Sequence, residues 1–197
     1  MASAETIRQL REETGAGVLD CKKALDQHNG DMEKAAAWLR EKGLAAAAKK
    51  ASRDAHDGMI EVYSHMGGRM AVLVEVNCET DFVARTPEFR ALAHELALQI
   101  ASSSPQYVKK EDVPADVVTA KKEQYKQEAI AEGKKAEIAE KIATNKLEKF
   151  YQDVCLLEQQ FVKDDSLKIS QLIQNAVVTT RENIVVRRFV RYEVGGQ

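Results

Sequence analysis

The chain has 197 residues, with 29 Lys plus Arg against 31 Asp plus Glu and a formal net charge of −2. That balance gives no basic footprint for duplex DNA as a main partner, and 44% hydrophobic residues can fill a core, which excludes disorder throughout. No apolar run approaches the ~20 residues that span a bilayer, and the opening MASAETIRQL has no basic stretch leading into an apolar one, as a secretory signal would.

Residues 6–51 read as short helices. Ile7 and Leu10 form an apolar edge before Gly15 and Gly17 break the pattern. A second helix begins near Val18 and carries Cys21, Ala24 and Leu25. Asn29-Gly30 ends it, since both residues tolerate positive φ. Asp31 is a good N-cap for a third helix holding Ala35, Trp38 and Leu39. Gly43 is expected to stop that helix, with a further Ala-rich helix from Leu44 to Ala51. The polar stretch near Ser52–Asp57 then divides a helical domain, residues 1–52, from a core domain, residues 53–197.

At Gly58 the hydrophobic period drops from about 3.6 to about 2. Ile60, Val62 and Tyr63 fall in one strand, and Met70, Val72, Val74 and Val76 alternate on one face of the next. Gly67-Gly68 between them predicts a two-residue hairpin turn. After Cys78-Glu79-Thr80-Asp81, a helix is expected from Pro87, capped by Thr86. Its apolar stripe is Phe89, Leu92, Ala93, Leu96, Ala97 and Ile100, which suits one face of the sheet.

Pro105 and Pro114 bracket a loop. Residues 115–154 follow, with eight Lys against six Glu and two Asp, which predicts solvated outer faces. Gly133 divides them into two arms of a helical hairpin. The expected seam is Ile138, Ile142, Leu147, Phe150, Tyr151 and Val154, with a kink near Asn145. A short helix then carries Leu172, Ile173, Ala176 and Val177. A last strand places Ile184, Val186, Val190, Tyr192 and Val194 on one parity and Arg187 and Arg191 on the other. The fold class is α+β, with an antiparallel sheet core, packed helices and a projecting helical hairpin.

No catalytic constellation emerges. Thr14-Gly15-Ala16-Gly17 fails as a phosphate loop, because Asp20 stands where the next glycine would be needed. Cys21, Cys78 and Cys155 are odd in number and far apart, without the spacing of a disulfide framework or a zinc site. Each reads as a buried small hydrophobe. His28, His56, His65 and His94 form no i,i+4 pair, so neither a metal nor another cofactor is expected. Arg181, Arg187, Arg188 and Arg191 could touch RNA, but no aromatic platform accompanies them. Pairing with acidic neighbours or a protein partner is the preferred reading. One segment stays open. Phe82, just past the strand end, either packs on the core while Asp81 caps a turn, or stands out as an aromatic anchor beside a carboxylate.

LREETGAGVLDCKKAL (Leu10–Leu25) followed by Asn29-Gly30-Asp31 resembles the N-terminal helical domain of the elongation factor Ts family. VLVEVNCETDFVAR (Val72–Arg85) is similar to that family's central signature. Leu156–Asp164 and NIVVRRFVRYEVG (Asn183–Gly195) resemble its last two. Four positions depart from the family pattern: Thr86 replaces the usual Asn or other polar residue, Gln160 a proline, and Val18-Leu19 a frequent pair of methionines. Only one set of hairpin strands is present, as in the family's short members.

The resemblance implies a cytoplasmic nucleotide exchange factor, not an enzyme, for the GTPase elongation factor Tu. By that likeness, Thr80, Asp81, Phe82 and Val83 disturb the partner's magnesium site, with Phe82 as a wedge. Arg8, Arg11, Val18, Leu19 and Lys22 contact the same partner domain from a three-helix module. A homodimer is implied, with no membrane and no direct nucleic-acid contact. Two competing readings remain. One is a non-exchanging helical adaptor whose first residues form a ubiquitin-associated-like fold. The other is an RNA-binding protein using the arginines of the last strand.

Overall fold

The structure is a computed structural model that describes residues 3–196. Within it the chain forms an α+β fold with an antiparallel three-stranded sheet. Two compact units emerge. One combines the residues up to Gly58 with Asn77–Phe89 and Ile173–Val185. The other combines Met59–Val76, Arg90–Leu172 and the residues from Val186 onward.

In the first unit, α1 (Ala4–Thr14), α2 (Val18–Gln27) and α3 (Met32–Ala48) close on Leu10, Cys21, Ala24, Leu25, Ala35, Ala36 and Leu39. Local chemistry sets the boundaries. Ser3 accepts from the Thr6 amide at 3.1 Å and Asp31 from the Lys34 amide at 3.0 Å, each satisfying an orphan donor of a first turn. Gly15, at φ 65°, lets its N–H return to the Arg11 carbonyl and close α1.

Gly43 does not end α3, contrary to the sequence expectation; the helix runs through it to Ala48. The same unit contains α8 (Ile169–Thr180) from Ile173 onward. A Cβ on Gly43 would lie 2.9 Å from Val178 Cγ1. The glycine is there for close approach to α8, and as an interior residue it needs no left-handed conformation.

In the second unit, β1 (Asp57–His65), β2 (Met70–Cys78) and β5 (Val185–Glu193) supply most of the sheet, in the order β1-β2-β5. Val72, Val74 and Val76 are buried as their alternation requires. The hairpin turn differs from the expected two-residue form. Met66, Gly67 and Gly68 make a 3-10 turn with φ of 52°, 66° and 88°. From α5 (Pro87–Ser103), His94 meets Glu61 of β1 at 2.9 Å, and Arg191 of β5 donates to the Ala101 carbonyl at 3.3 Å. The stripe from Phe89 to Ile100 is buried throughout.

Three expectations fail here, the first of them in part. α6 (Ala115–Ala131) and α7 (Ala136–Val154) do form the helical hairpin; of the expected seam Val154 is buried with Phe150 and Tyr151 packed against it, but along the rest of the arms the buried residues are Ala129, Ala139 and Ala143, and Ile138 is left 48% exposed. Small residues let the arms approach, and Lys122–Glu140 at 2.7 Å and Lys146–Glu128 at 2.9 Å tie them. α7 passes through Asn145 as one helix. In β5, Arg187 and Arg188 are both exposed and both reach Glu75, at 3.6 and 2.7 Å, so the alternation slips there. Val186 is buried while Tyr192 and Val194 face out. The sequence reading also passed over a small hairpin, β3 (Gln160–Phe161) with β4 (Asp164–Lys168). Buried Gln99 holds it, donating to the Gln160 carbonyl at 3.1 Å and accepting from the Val162 amide at 2.9 Å.

Candidate functional site

β2 ends at Cys78, and a four-residue helix, α4 (Asp81–Ala84), begins three residues later. Thr80 is its N-cap, its hydroxyl accepting from the Val83 amide at 3.4 Å. Within α4 only Ala84 is buried. Phe82 is 80% exposed. The choice that the sequence left open therefore falls to the presented aromatic, because the helix buries Ala84 and turns the ring outward. Asp81 beside it is paired with Arg85 at 2.7 Å.

The backbone leading into α4 is fixed from far along the chain. Glu182 Oε2 accepts from the Glu79 and Thr80 amides, each at 3.0 Å, and Oε1 accepts from the Thr80 hydroxyl at 2.6 Å. Glu79 reaches the other way and accepts from the Asn183 amide at 2.7 Å. Its second oxygen lies 3.5 Å from Arg53, and Asn183 Nδ2 donates to the Arg53 carbonyl at 2.7 Å. Behind the turn, the buried Cys78 thiol donates to the Thr80 carbonyl at 3.2 Å. Burial, with the Glu182 charge second, pushes that thiol up to about 11.

The second candidate group lies on α1 and α2. Val18 and Leu19 open α2 and are 52% and 82% exposed, directly ahead of buried Cys21. Lys22 follows Val18 at i+4, so the two share a helix face. Arg8 is held by Glu12 at 2.9 Å and Arg11 is exposed on the next turn of α1. Both groups belong to one compact unit, although some sixty residues separate them in sequence. The sequence reading singled out the Phe82 segment and the family likeness added Thr80, Val83 and the N-terminal residues, but neither pointed to Glu182, Asn183 and Arg53, which brace the turn. No local spacing marks those three, because their partners lie across the chain.

The remaining candidates take structural roles. Cys21, Cys78 and Cys155 are buried and unbridged. Arg187 and Arg188 face Glu75, and Arg191 binds Glu193 at 2.6 Å, the acidic pairing expected of them. Among the described residues no group of three His, Cys, Asp or Glu side chains could hold a metal ion, and no helix is long and apolar enough to cross a membrane.

An exposed aromatic on a braced turn and an exposed aliphatic pair on a helix start are large apolar side chains left in water, the type that carries binding energy where an interface covers it. Comparison with known proteins makes this specific. A family model described as "Elongation factor TS" matches residues 5–196. The chain is 55% identical over 195 residues to elongation factor Ts of Moorella thermoacetica, covering 99% of this chain and 96% of that one. It is 56% identical over 193 residues to that of Herpetosiphon aurantiacus, covering 98% of each. It is 52% identical over 195 residues to that of Caldanaerobacter subterraneus subsp. tengcongensis, covering 99% and 98%. The chain is therefore a translation elongation factor in class, and it belongs to the elongation factor Ts family.

Proposed function

We propose that the chain is a guanine-nucleotide exchange factor that binds elongation factor Tu, disturbs its magnesium and phosphate site, and promotes GDP release during elongation. The observation that carries this reading is Phe82, a large apolar side chain 80% exposed on a turn that an array of hydrogen bonds holds in place. An aromatic of this kind contributes most when an interface covers it. Phe82 inserts between side chains of the GTPase domain, Asp81 stabilises the displaced arrangement, and Thr80 and Val83 complete the contact. Arg8, Arg11, Val18, Leu19 and Lys22 dock on the same partner domain, with residues 1–52 acting as a docking module on the core of residues 53–197.

No bond is made or broken on this chain, so it is not an enzyme. It binds the nucleotide-free GTPase more tightly than the GDP form, and linkage requires that GDP weaken it by the same factor. Much of the nucleotide's hold on such a GTPase comes from magnesium and the phosphate loop, which is where a wedge raises the off-rate. The protein acts in the cytoplasm, with no membrane and no direct nucleic-acid contact.

It also works as a homodimer. Ile60, Leu73, Val190 and Tyr192 line a shallow hollow on the open sheet face, and Tyr192 is 67% exposed. Val186, attractive by its sequence position, is buried and contributes nothing to that contact. Light scattering is expected to give twice 21.9 kDa, unchanged by reductant; a monomer at about 10 μM, well above the dissociation constants of stable complexes, would remove the dimer and leave exchange standing.

The exchange reading is tested by release of fluorescent GDP from elongation factor Tu with and without this chain. Acceleration that saturates with factor concentration is expected. A release rate indifferent to the chain would sink the reading in favour of a non-exchanging adaptor.

A further inference from the structure

We infer that Glu182 is the positioning residue that holds the Phe82-bearing turn in its outward conformation, an inference that rests on the exchange reading above. The backbone between β2 and α4 has left the sheet ladder and has not yet joined a helix. Its amides need partners from elsewhere. For Glu79 and Thr80 those partners are a single oxygen of Glu182, 3.0 Å from each nitrogen.

A four-residue helix is far below the length at which a helix holds itself, so local propensity does not set this shape. At its start α4 is capped by the long Thr80–Val83 bond of 3.4 Å, and at its end the Thr86 hydroxyl donates to the Val83 carbonyl at 2.8 Å, but neither reaches the backbone that leads into the helix. The conformation is imposed from outside, by one carboxylate taking three charge-assisted hydrogen bonds. Glu79 reciprocates on the Asn183 amide at 2.7 Å, and Arg53 at 3.5 Å offsets the charge of the adjoining carboxylates. Each segment thus fixes the backbone of the other.

This changes the role of Thr80. Its hydroxyl donates to Glu182 and accepts from Val83, so it has no donor left for a partner. Thr80 belongs to the brace, and Phe82 is what the brace presents. A turn ordered before docking avoids an entropic cost on binding. A loosened turn is competent only part of the time, and its apparent affinity falls by that fraction.

Two measurements test this on Glu182→Ala, Glu182→Gln, Thr80→Val and the double variant Glu182→Ala/Thr80→Val. The first is amide hydrogen exchange of the free chain. Glu182→Ala is expected to lose protection at Glu79, Thr80 and Val83 by about tenfold, the weight of one hydrogen bond to a charged group, while amides around Leu10, Leu25 and Leu39 keep theirs. The second is GDP release, read as half-saturating concentration and as maximal rate. Glu182→Ala is expected to raise the former about tenfold and to change the latter less than about twofold, because the docked ring is the same.

Glu182→Gln should recover most of the loss, since its carbonyl oxygen still accepts and its amide can donate to Thr80. Thr80→Val should move in the same direction as Glu182→Ala, and the double variant should be no worse than Glu182→Ala alone. Unchanged protection in Glu182→Ala overturns the brace. Lost protection with an unchanged half-saturating concentration overturns its role in presenting Phe82, and so does additivity in the double variant. If Glu182→Ala does not fold, Glu182→Gln and Thr80→Val carry both measurements. If the chain never accelerates GDP release, the exchange reading fails, while hydrogen exchange still decides the brace.

Discussion

Val18 and Leu19 sit on a ten-residue helix whose next turns bury Cys21, Ala24 and Leu25 in a core shared by α1, α2 and α3. Phe82 sits on a four-residue helix with one buried residue, and Glu182, over a hundred residues away, fixes the backbone before it. The first presenting surface is held by the packing of its own module, the second by hydrogen bonds to a distant segment. Packing tolerates small changes gradually. A brace that hangs three hydrogen bonds on one carboxylate loses all of them when that acceptor is removed. The two surfaces should therefore respond differently to perturbation.

The largest effect is expected at the ring. Phe82→Ala should cut the GDP release rate at saturating factor by roughly 30-fold or more, the scale of an interface hot spot. Circular dichroism should not change, because an exposed ring leaves no cavity behind. A collapsed spectrum would return Phe82 to a structural role, and unchanged release would end its part as a wedge.

The helical module should break through its contact with α8. Gly43→Ala gains about 1 kcal/mol of helix propensity. Its Cβ would also lie 2.9 Å from Val178 Cγ1 and 3.2 Å from Cγ2, on a side chain with little χ1 freedom. Overpacking of this kind costs about 1–3 kcal/mol and outweighs the gain. The melting temperature should drop by about 2–6 °C. Adding Val178→Ala should return part of that drop, and an unaltered melt in Gly43→Ala would show that α8 simply yields.

Alkaline pH probes both surfaces from behind. The folded Cys78 and Cys155 thiols hold their protons to about 11, against an ordinary value of 9.0. Burial also raises Cys21. An unfolded thiol ionises first, so the Cys78 and Cys155 contributions are complete below pH 9.0 and are lost as pH climbs toward about 11. The slope is about 1.4 kcal/mol per pH unit for each thiol. Denaturant titrations from pH 8 upward should show it. Cys78→Ser keeps a donor for the Thr80 carbonyl without ionising in this range, and should remove one share of the slope.

Leu19→Ala should act on affinity alone. Truncating a side chain that is 82% exposed in the free protein removes contact area gained only on docking. About 1 kcal/mol is at stake, a rise of roughly fivefold in the half-saturating concentration, with the maximal rate unchanged. A fall in maximal rate instead would give Leu19 the same kind of role as Phe82 and erase the contrast.

What the sequence made legible was local. Asp31 and Thr86 cap their helices within three residues, and Val72, Val74 and Val76 alternate within one strand. The stripe of α5 also repeats within its own helix, so a short window sufficed for each. The failures at Gly43, in the hairpin seam and in β5 depend on neighbours that a window cannot contain. Gly43 looked like a stop because Val178 was out of view. The hairpin seam went to Ala139 and Ala143 over Ile138 because two arms had to approach closely. β5 slipped where Arg187 and Arg188 both turned to Glu75. At the site, residue types singled out Phe82 but left its role undecided, and family likeness favoured the presented aromatic. Glu182 carried no signal, since a glutamate before a strand is ordinary until its three donors are seen.

The smallest effect should come from the charged edge of the helical module. Arg8 pairs with Glu12 at 2.9 Å, with the two side chains 81% and 65% exposed. An exposed i,i+4 pair is worth only about 0.3–0.5 kcal/mol, so Arg8→Ala should leave the melting temperature within about 2 °C. The same weakness leaves the guanidinium free to change partners on docking at little cost. Its influence should fall on the encounter. Association with elongation factor Tu in low salt should slow by about twofold, and the difference should fade as ionic strength shortens the screening length. Dissociation should be unaffected, because a rim charge stays in water on both sides of the event. Stopped-flow association at two salt concentrations separates the cases. A salt-independent loss carried by the off-rate would mean that Arg8 is buried in the complex, and the helical module would then hold an anchor of the same rank as Phe82.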